Sequence, residues 1–96
     1  MVQSKNPHIT ISPLGEERKF VSGNKYWLLD WAELSGKRFE IGDTVSWTDT
    51  DERKTYKGKI EWICIIDDGY VQISIDNPNI GRIDLDEVVM IKKGKK

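Results

Sequence analysis

The side chains of this sequence that are best suited to recognition are its aromatic rings. The candidate ligand- or partner-binding residues are Trp47, Tyr56, Trp62, Tyr70, Trp27 and Trp31. An aromatic face attracts cations and buries a large apolar area, so such rings serve either a binding surface or a core. We predict ligand or partner binding by these six residues, although for Trp47 and Trp62 we prefer a place in the core.

One short run of cations stands out in the second half of the chain: Arg53, Lys54, Lys57 and Lys59. Lys57 and Lys59 are two residues apart and therefore share one face of a predicted strand. With Tyr56 adjacent to them, they are suited to contact a nucleic-acid backbone and to stack a base. The alternative interpretation is a solvated outer strand face.

Catalytic and metal-binding patterns are weak. The one histidine, His8, lies in the least patterned segment, and Cys64 lies within an apolar strand, where a buried thiol keeps a raised pKa and stays inert. Asp49-x-Asp51 begins like a calcium loop, but position 12 of that loop would be Ile60. We therefore predict no enzyme, no catalytic residue, no cofactor and no metal site.

Length and charge narrow the class of protein further. Ninety-six residues favour a single domain, and one cysteine excludes an intrachain disulfide and favours the cytoplasm. No apolar run approaches the roughly 20 residues that span a bilayer, so no membrane association is expected. Residues 43–91 carry five basic and eleven acidic side chains, a net charge of −6, whereas a duplex-binding surface normally needs a basic footprint.

Residues 39–91 alternate polar and apolar side chains in several short segments. Strands are predicted over 44–48, 55–66, 70–75, 82–86 and 88–91, separated by loops and turns such as Asp67-Asp68-Gly69. In 55–66 the apolar face widens part-way along. A strand that bends strongly, with a bulge at the bend, has this pattern.

The N-terminal part of the chain leaves two alternatives open at two places. Residues 1–14 are suited either to a short edge strand over 8–12 or to a loose arm. Farther on, Gly23-Asn24 between apolar runs is typical of a hairpin, yet Trp27, Trp31 and Leu34 are spaced as on one face of a helix. We prefer a short helix over about 25–34, with Gly36 just past its end.

One motif resembles a known class of domains. Phe39-x-x-Gly42-Asp43-x-Val45-x-Trp47, then Gly58-Lys59-Ile60, and finally Arg82-Ile83-Asp84-Leu85-Asp86-Glu87-Val88 follow each other in the chain. This succession resembles SH3-like small barrels of the Tudor, KOW or chromo-barrel type. The resemblance implies a barrel over about 39–91, with a 3₁₀ turn before its last strand, and binding of peptides, proteins or nucleic acids. Fold does not choose among those ligands.

The sequence thus predicts a mainly β protein in one domain, 1–96. An N-terminal extension (1–38) contains the short helix, an SH3-like barrel of about five strands occupies 39–91, and a basic tail follows over 92–96. The predicted function is that of a small non-enzymatic binding module, foremost a protein-interaction adaptor, subunit or regulator. The alternative is a nucleic-acid-binding accessory domain that uses the basic strand face. A protein partner is therefore expected first and a nucleic acid second.

Overall fold

The chain folds as a mainly β structure, as predicted. A computed structural model describes residues 2–94. The strands are β1 Ile9–Ile11, β2 Glu17–Lys19, β3 Lys25–Leu29, β4 Trp31–Leu34, β5 Lys37–Glu40, β6 Thr44–Asp49, β7 Lys54–Ile66, β8 Val71–Ile75, β9 Ile83–Asp84 and β10 Val88–Lys92. A 3₁₀ turn over Leu85–Glu87 joins β9 to β10.

Over residues 2–94 the strands form two sheets, and no strand of one sheet is hydrogen-bonded as a ladder to a strand of the other. The smaller sheet has the order β1–β4–β5, and the larger one runs β10–β6–β7–β3–β2, with β8 paired to β7 and β9 to β8. All pairings are antiparallel. The thirteen-residue β7 is the centre of the larger sheet, because its first half pairs with β6 and its second half lies between β3 and β8. The register of β7 against β8 shifts between Ile60 and Trp62, at the predicted bend.

One apolar core lies between the sheets. Its largest fully buried side chains include Phe39, Ile60, Ile63, Ile65, Ile73, Ile75 and Leu85. Phe39 stands opposite Ala32 in the smaller sheet, so that sheet is held to the larger one through its own buried residues. The core therefore joins the N-terminal extension to the strands that follow it.

The predicted helix over 25–34 is wrong, and the hairpin alternative is correct. Residues 25–29 form β3, which alternates its side chains between core and outer face and pairs with β2 and β7. At Asp30 the chain passes to the other sheet, and the buried Ser12 hydroxyl accepts the N–H groups of Asp30 and Trp31 there (2.9 and 3.4 Å). The hydrogen bonds and packing that β3 gains by pairing on both sides favour the strand more than the spacing of the aromatic residues favours a helix, since aromatic residues suit strands equally well.

No helix among residues 2–94 is long and apolar enough to cross a membrane.

Gly36 ends a strand and not a helix. Leu34 pairs with Lys37, so Ser35 and Gly36 form a two-residue hairpin turn between β4 and β5. Both have positive φ, 49° for Ser35 and 86° for Gly36. Two consecutive positive φ angles define the turn type whose twist matches antiparallel strands. The same preference of glycine for positive φ underlies both the predicted helix end and the observed turn.

The larger sheet is not closed into a barrel, which corrects the barrel prediction for 39–91. Among residues 2–94, β10 pairs with β6 alone and β9 pairs with β8 alone. The two-residue β9 passes at once into the 3₁₀ turn, which leaves the ends of the sheet unpaired with each other. The 3₁₀ turn before the last strand is present, as the resemblance implies.

The start of the predicted basic tail belongs to the fold. Lys92 is the last residue of β10, and Lys93 and Gly94 both contact the buried Asp43. The Asp43 carboxylate accepts the Lys93 ammonium (2.6 Å), the Gly94 N–H (2.7 Å) and the Glu40 N–H (2.8 Å). Residues 95 and 96 of the predicted tail lie outside the described residues.

Candidate partner-binding surface

A second apolar cluster lies on the outer face of the larger sheet, away from the core. Leu28 is paired with Cys64 and Tyr26 with Ile66, and these residues point away from the core-facing Ile63 and Ile65. Trp62 shares this face with Cys64 by ordinary strand alternation, and the bulge between Ile60 and Trp62 places it on the face opposite to the buried Ile60. The rings of Tyr26 and Trp62 approach to 6.5 Å between their centroids, on either side of the position of Cys64.

Phe20 extends this cluster from the turn between β2 and β3. Its N–H donates to the Asn24 carbonyl (2.9 Å), and its ring stacks on Tyr26 with the centroids 4.3 Å apart. The hairpin therefore positions the ring, since both partners belong to one local turn. We call Phe20, Tyr26 and Trp62 the outer aromatic cluster; all three side chains are half-buried.

A guanidinium group lies against one end of the outer aromatic cluster. The Cζ atom of Arg82 is 4.0 Å from the centroid of the Phe20 ring. The guanidinium donates to the Gln72 side-chain oxygen (3.0 Å), and the Gln72 amide donates to Asp84 (3.0 Å). Among residues 2–94, Arg82 has no carboxylate within 4.0 Å. Its charge is therefore oriented by a neutral amide and is available to an external anion.

Arg18 lies at the other side of the cluster but is already paired. Its guanidinium donates to the Glu16 carboxylate at 2.9 Å, and the same hydrogen bond raises the pKa of Arg18. The pair is exposed, so it adds little stability. Arg82 thus offers the less satisfied positive charge beside the rings.

Cys64 lies beneath the outer aromatic cluster and is fully buried. Burial disfavours the thiolate and raises the pKa of Cys64 to about 12, although the Arg82 charge and the Gln72 backbone act in the opposite direction. At neutral pH the side chain is therefore a neutral thiol. Because the thiolate is the reactive form, the structure assigns Cys64 no nucleophilic role.

The native protein is expected to react with Ellman's reagent far more slowly than the unfolded chain at pH 8, because Cys64 is both covered and protonated. The measurement is the absorbance of the released thiolate with and without 6 M guanidinium chloride. The denatured protein serves as the control for one thiol per chain. Equal rates in the two conditions would contradict the burial of Cys64 under the rings.

The other predicted aromatic residues do not join the outer aromatic cluster. Trp47 and Tyr56 are directly opposite each other on β6 and β7, with ring centroids 6.0 Å apart, on the core-facing side of the sheet. Trp27 also packs against the core. Of the six predicted residues, Trp62 is the one that lies in the cluster.

Two more predicted aromatic residues each contact a cation of this chain. Trp31, on the smaller sheet, lies under the guanidinium of Arg38 at 3.9 Å. Tyr70 follows the β7–β8 turn and lies 5.1 Å from the Lys5 ammonium nitrogen. These rings are on separate parts of the surface, so the structure does not assemble them into one cage.

The four residues of the predicted basic cluster do not share one face of the sheet. Lys57 and Lys59 have side chains on the outer face of β7, opposite Ser46 and Thr44 of β6. Lys54 has the other parity, and Arg53 lies in the β6–β7 turn with φ of 56°. The turn also carries Asp51 and Glu52, so its two negative charges exceed the one positive charge of Arg53. Within residues 2–94, no three His, Cys, Asp or Glu side chains are grouped as a metal site requires.

Comparison with protein families, curated proteins and solved structures finds no match to this chain.

Phe20, Tyr26 and Arg82 were not among the residues predicted from the sequence. The signal for the first two was present in Gly23-Asn24, because the hairpin interpretation places Phe20 and Tyr26 across one short turn. No sequence pattern near Arg82 indicates its position beside the rings, because its contact with Phe20 joins residues 62 positions apart in the chain.

Proposed function

We propose that this chain is a non-enzymatic protein-interaction module that docks a partner on the outer aromatic cluster, and that it acts in the cytoplasm, in keeping with its single buried thiol. The observation that supports the proposal is the position of Phe20, Tyr26 and Trp62. Their rings pack on one another on the sheet face opposite to the core and not within it.

The composition of the surface is that of an interaction site. Tyrosine, tryptophan and arginine are enriched among the residues that dominate binding energies, because they combine a large apolar area with directed polar groups. Tyr26, Trp62 and Arg82 bring these three types to one sheet face, and Phe20 connects them. A partner side chain that covers the rings also removes water from around the guanidinium and strengthens any ion pair made there.

The charge of Arg82 indicates the chemistry of the partner. Because Gln72 orients the guanidinium without neutralising it, a carboxylate on the partner is its natural counterion. The partner surface is therefore an apolar side chain, seated on the rings, with an aspartate or glutamate at its edge. A planar guanidinium donates two parallel hydrogen bonds to the oxygens of such a carboxylate.

Affinity capture with quantitative mass spectrometry tests the proposal. The purified chain is immobilised and exposed to an extract of its source cells, in parallel with the double variant Phe20→Ser/Arg82→Glu. Both substitutions are at the edge of the cluster and leave Trp62 over Cys64. A protein retained by the wild type and lost by the double variant is then purified, and its dissociation constant is measured. We expect a loss of at least about tenfold, which is 1.4 kcal/mol.

The matched control is Val21→Ser/Lys19→Glu, which changes one fully exposed apolar and one exposed basic residue near the same hairpin. It is expected to retain the partner. Circular dichroism checks that all chains are folded. If no protein distinguishes the wild type from Phe20→Ser/Arg82→Glu, the proposed docking surface is wrong.

A further inference from the structure

A separate face of the larger sheet brings three lysines and several hydroxyl groups together. Across β10, β6 and β7, Lys92 is paired with Thr44 and Thr44 with Lys59, so these residues form one row. In the next row, Ser46 is paired with Lys57 of β7 and, on its other side, with the exposed Val89 of β10. The face is defined by the lysines and hydroxyl residues of the two rows, and we call these five residues the lysine–hydroxyl face. It is on the outer side of the sheet, opposite to the buried Val45 and Ile60.

Hydroxyl groups and a cleft continue this face in two directions. Beyond the second row, the hydroxyls of Thr48 and Thr55 are hydrogen-bonded to each other at 3.0 Å. At the opposite end is a cleft of about 370 Å³, lined by Gly42, Thr44, Lys59, Lys92, Lys93 and Gly94. Lysine ammonium groups and the hydroxyls of serine and threonine are among the groups that contact phosphate oxygens in protein–nucleic acid complexes.

The three lysines of the face have no counterion among the described residues. Lys57, Lys59 and Lys92 have no carboxylate oxygen within 4.0 Å. Lys93, in contrast, forms an ion pair with Asp43. It lines the wall of the cleft, but its charge is already neutralised by that carboxylate.

Two acidic residues of the same region, Asp76 and Asp49, lie beside the face and not on it. Asp76 accepts the backbone N–H of Lys59 at 2.8 Å, which places its carboxylate at the sheet edge. Asp49 caps the β6–β7 turn by accepting the N–H groups of Asp51 and Glu52 (2.9 and 3.2 Å). The net charge of −6 over 43–91 is therefore compatible with a locally positive strand face.

We infer that the lysine–hydroxyl face binds the phosphate backbone of single-stranded nucleic acid, independently of the outer aromatic cluster. The regular spacing of the lysines along and across the strands favours a polymeric anion as the ligand. Lys57 and Lys59 are separated by about 6.6 Å along β7, and Lys59 and Lys92 by about 9.6 Å across three strands. Three separated charges match successive phosphates of an extended strand better than one small anion. Hydroxyls between them add neutral hydrogen bonds to the same oxygens.

The geometry also specifies the kind of recognition. Lysines and hydroxyls contact phosphates and carry no direct information on base identity. Binding by three lysines releases counterions, so the logarithm of the association constant falls against the logarithm of the salt concentration with a slope of about −2 for a single strand. The affinity is consequently weak at physiological salt and depends little on sequence.

Fluorescence anisotropy with a labelled single-stranded oligonucleotide of mixed sequence tests the inference, from 20 to 200 mM salt. A duplex of the same sequence is the second probe. The variant is Lys57→Glu/Lys59→Glu, and both side chains are exposed, so the fold is retained. We expect single-strand binding at low salt, weaker duplex binding, and a loss of at least about tenfold in the variant, with a salt slope nearer to zero.

The matched control, Lys19→Glu/Lys37→Glu, produces the same change in net charge at two exposed lysines elsewhere. It is expected to bind nearly as the wild type does, and so is Phe20→Ser/Arg82→Glu. The inference is overturned by no binding at 20 mM salt, by an equal loss in the control, or by equal binding of poly-glutamate, which would show attraction to any polyanion. Since the two proposals use different variants, either can fail while the other stands.

Discussion

Replacing Asp43 by alanine is expected to lower the free energy of unfolding by about 3 kcal/mol, because one buried carboxylate holds two backbone N–H groups and an ammonium. The substitution leaves the N–H groups of Glu40 and Gly94 without their acceptor. It also removes the contact that fixes the end of β10 beside β6. Urea denaturation followed by tryptophan fluorescence measures the change.

Two further variants separate the components of this contact. Lys93→Ala is expected to cost less, about 1 kcal/mol, because the Lys93 side chain is half-exposed and its loss leaves Asp43 with two N–H donors. Asp43→Asn keeps one acceptor oxygen and removes the charge, so its effect should fall between the other two. A loss below 1 kcal/mol in Asp43→Ala would show that the contact does not hold the C-terminal strand.

The same carboxylate makes stability depend on pH. Burial tends to raise the pKa of Asp43, but the Gly94 N–H, the Lys93 ammonium and the Glu40 N–H outweigh it, and the pKa lies below its ordinary value. A carboxyl with a lowered folded pKa contributes stability above its unfolded pKa of about 3.9, and loses it as the pH falls through the folded value. The difference in unfolding free energy between wild type and Asp43→Asn should therefore shrink below about pH 4.

Phe39→Ala is expected to produce a loss of comparable or greater size, about 3–5 kcal/mol. Phe39 is 2% exposed and is among the largest fully buried side chains. It lies on β5 of the smaller sheet, so its ring fills the space between the two sheets. Its removal leaves a cavity that the surrounding isoleucines cannot close without moving a whole sheet.

Ile41→Ala is the matched control for Phe39→Ala. Ile41 follows β5 by one residue and is 54% exposed, so its truncation is expected to cost less than about 0.5 kcal/mol. Chemical denaturation of both variants compares them directly. Similar losses at the two positions would mean that the smaller sheet does not pack on the larger one as described.

Periodicity predicted the second half of the fold well, and for a clear reason. In 44–49 and 71–75, polar and apolar residues alternate because one face of each strand is buried and the other is not. The bend in β7 was also predicted, since Ile63 and Ile65 break the parity of Ile60 and a bulge is the simplest cause. Such patterns extend over a few neighbouring residues, so they can be predicted from a short stretch of sequence.

The first half was harder to predict because its structure depends on distant partners. Residues 25–34 have aromatic and aliphatic side chains on every side, so their spacing fits a helix face and a strand equally well. Pairing of 26–29 with 63–66 of β7 stabilises the strand conformation. No residue near position 25 indicates that this distant segment is the pairing partner. Closure of the barrel depends in the same way on strand ends that are far apart in the chain.

For the candidate sites, the sequence allowed a choice of residue types but not of the places that these residues occupy in the fold. Aromatic residues and lysines were singled out from the sequence as candidate binding residues, and the structure distributes the six aromatic residues over several surfaces. The parity of a strand distinguishes Lys57 from Lys54, and this distinction required the register of β7 against β6. Lys92 joins Lys59 only through Thr44, a relation between three strands.

The long, shared β7 has a consequence for how this fold opens. Because its thirteen residues pair with β3, β6 and β8, separation of any of these strands exposes backbone amides of β7. Its central amide hydrogens therefore exchange with deuterium from the globally unfolded chain, and on the slowest timescale. The smaller sheet shares no hydrogen-bonded strand with β7, so its amides are free to exchange through a smaller opening. We therefore expect one cooperative unfolding unit around β7 and a second, less protected unit built of β1, β4 and β5.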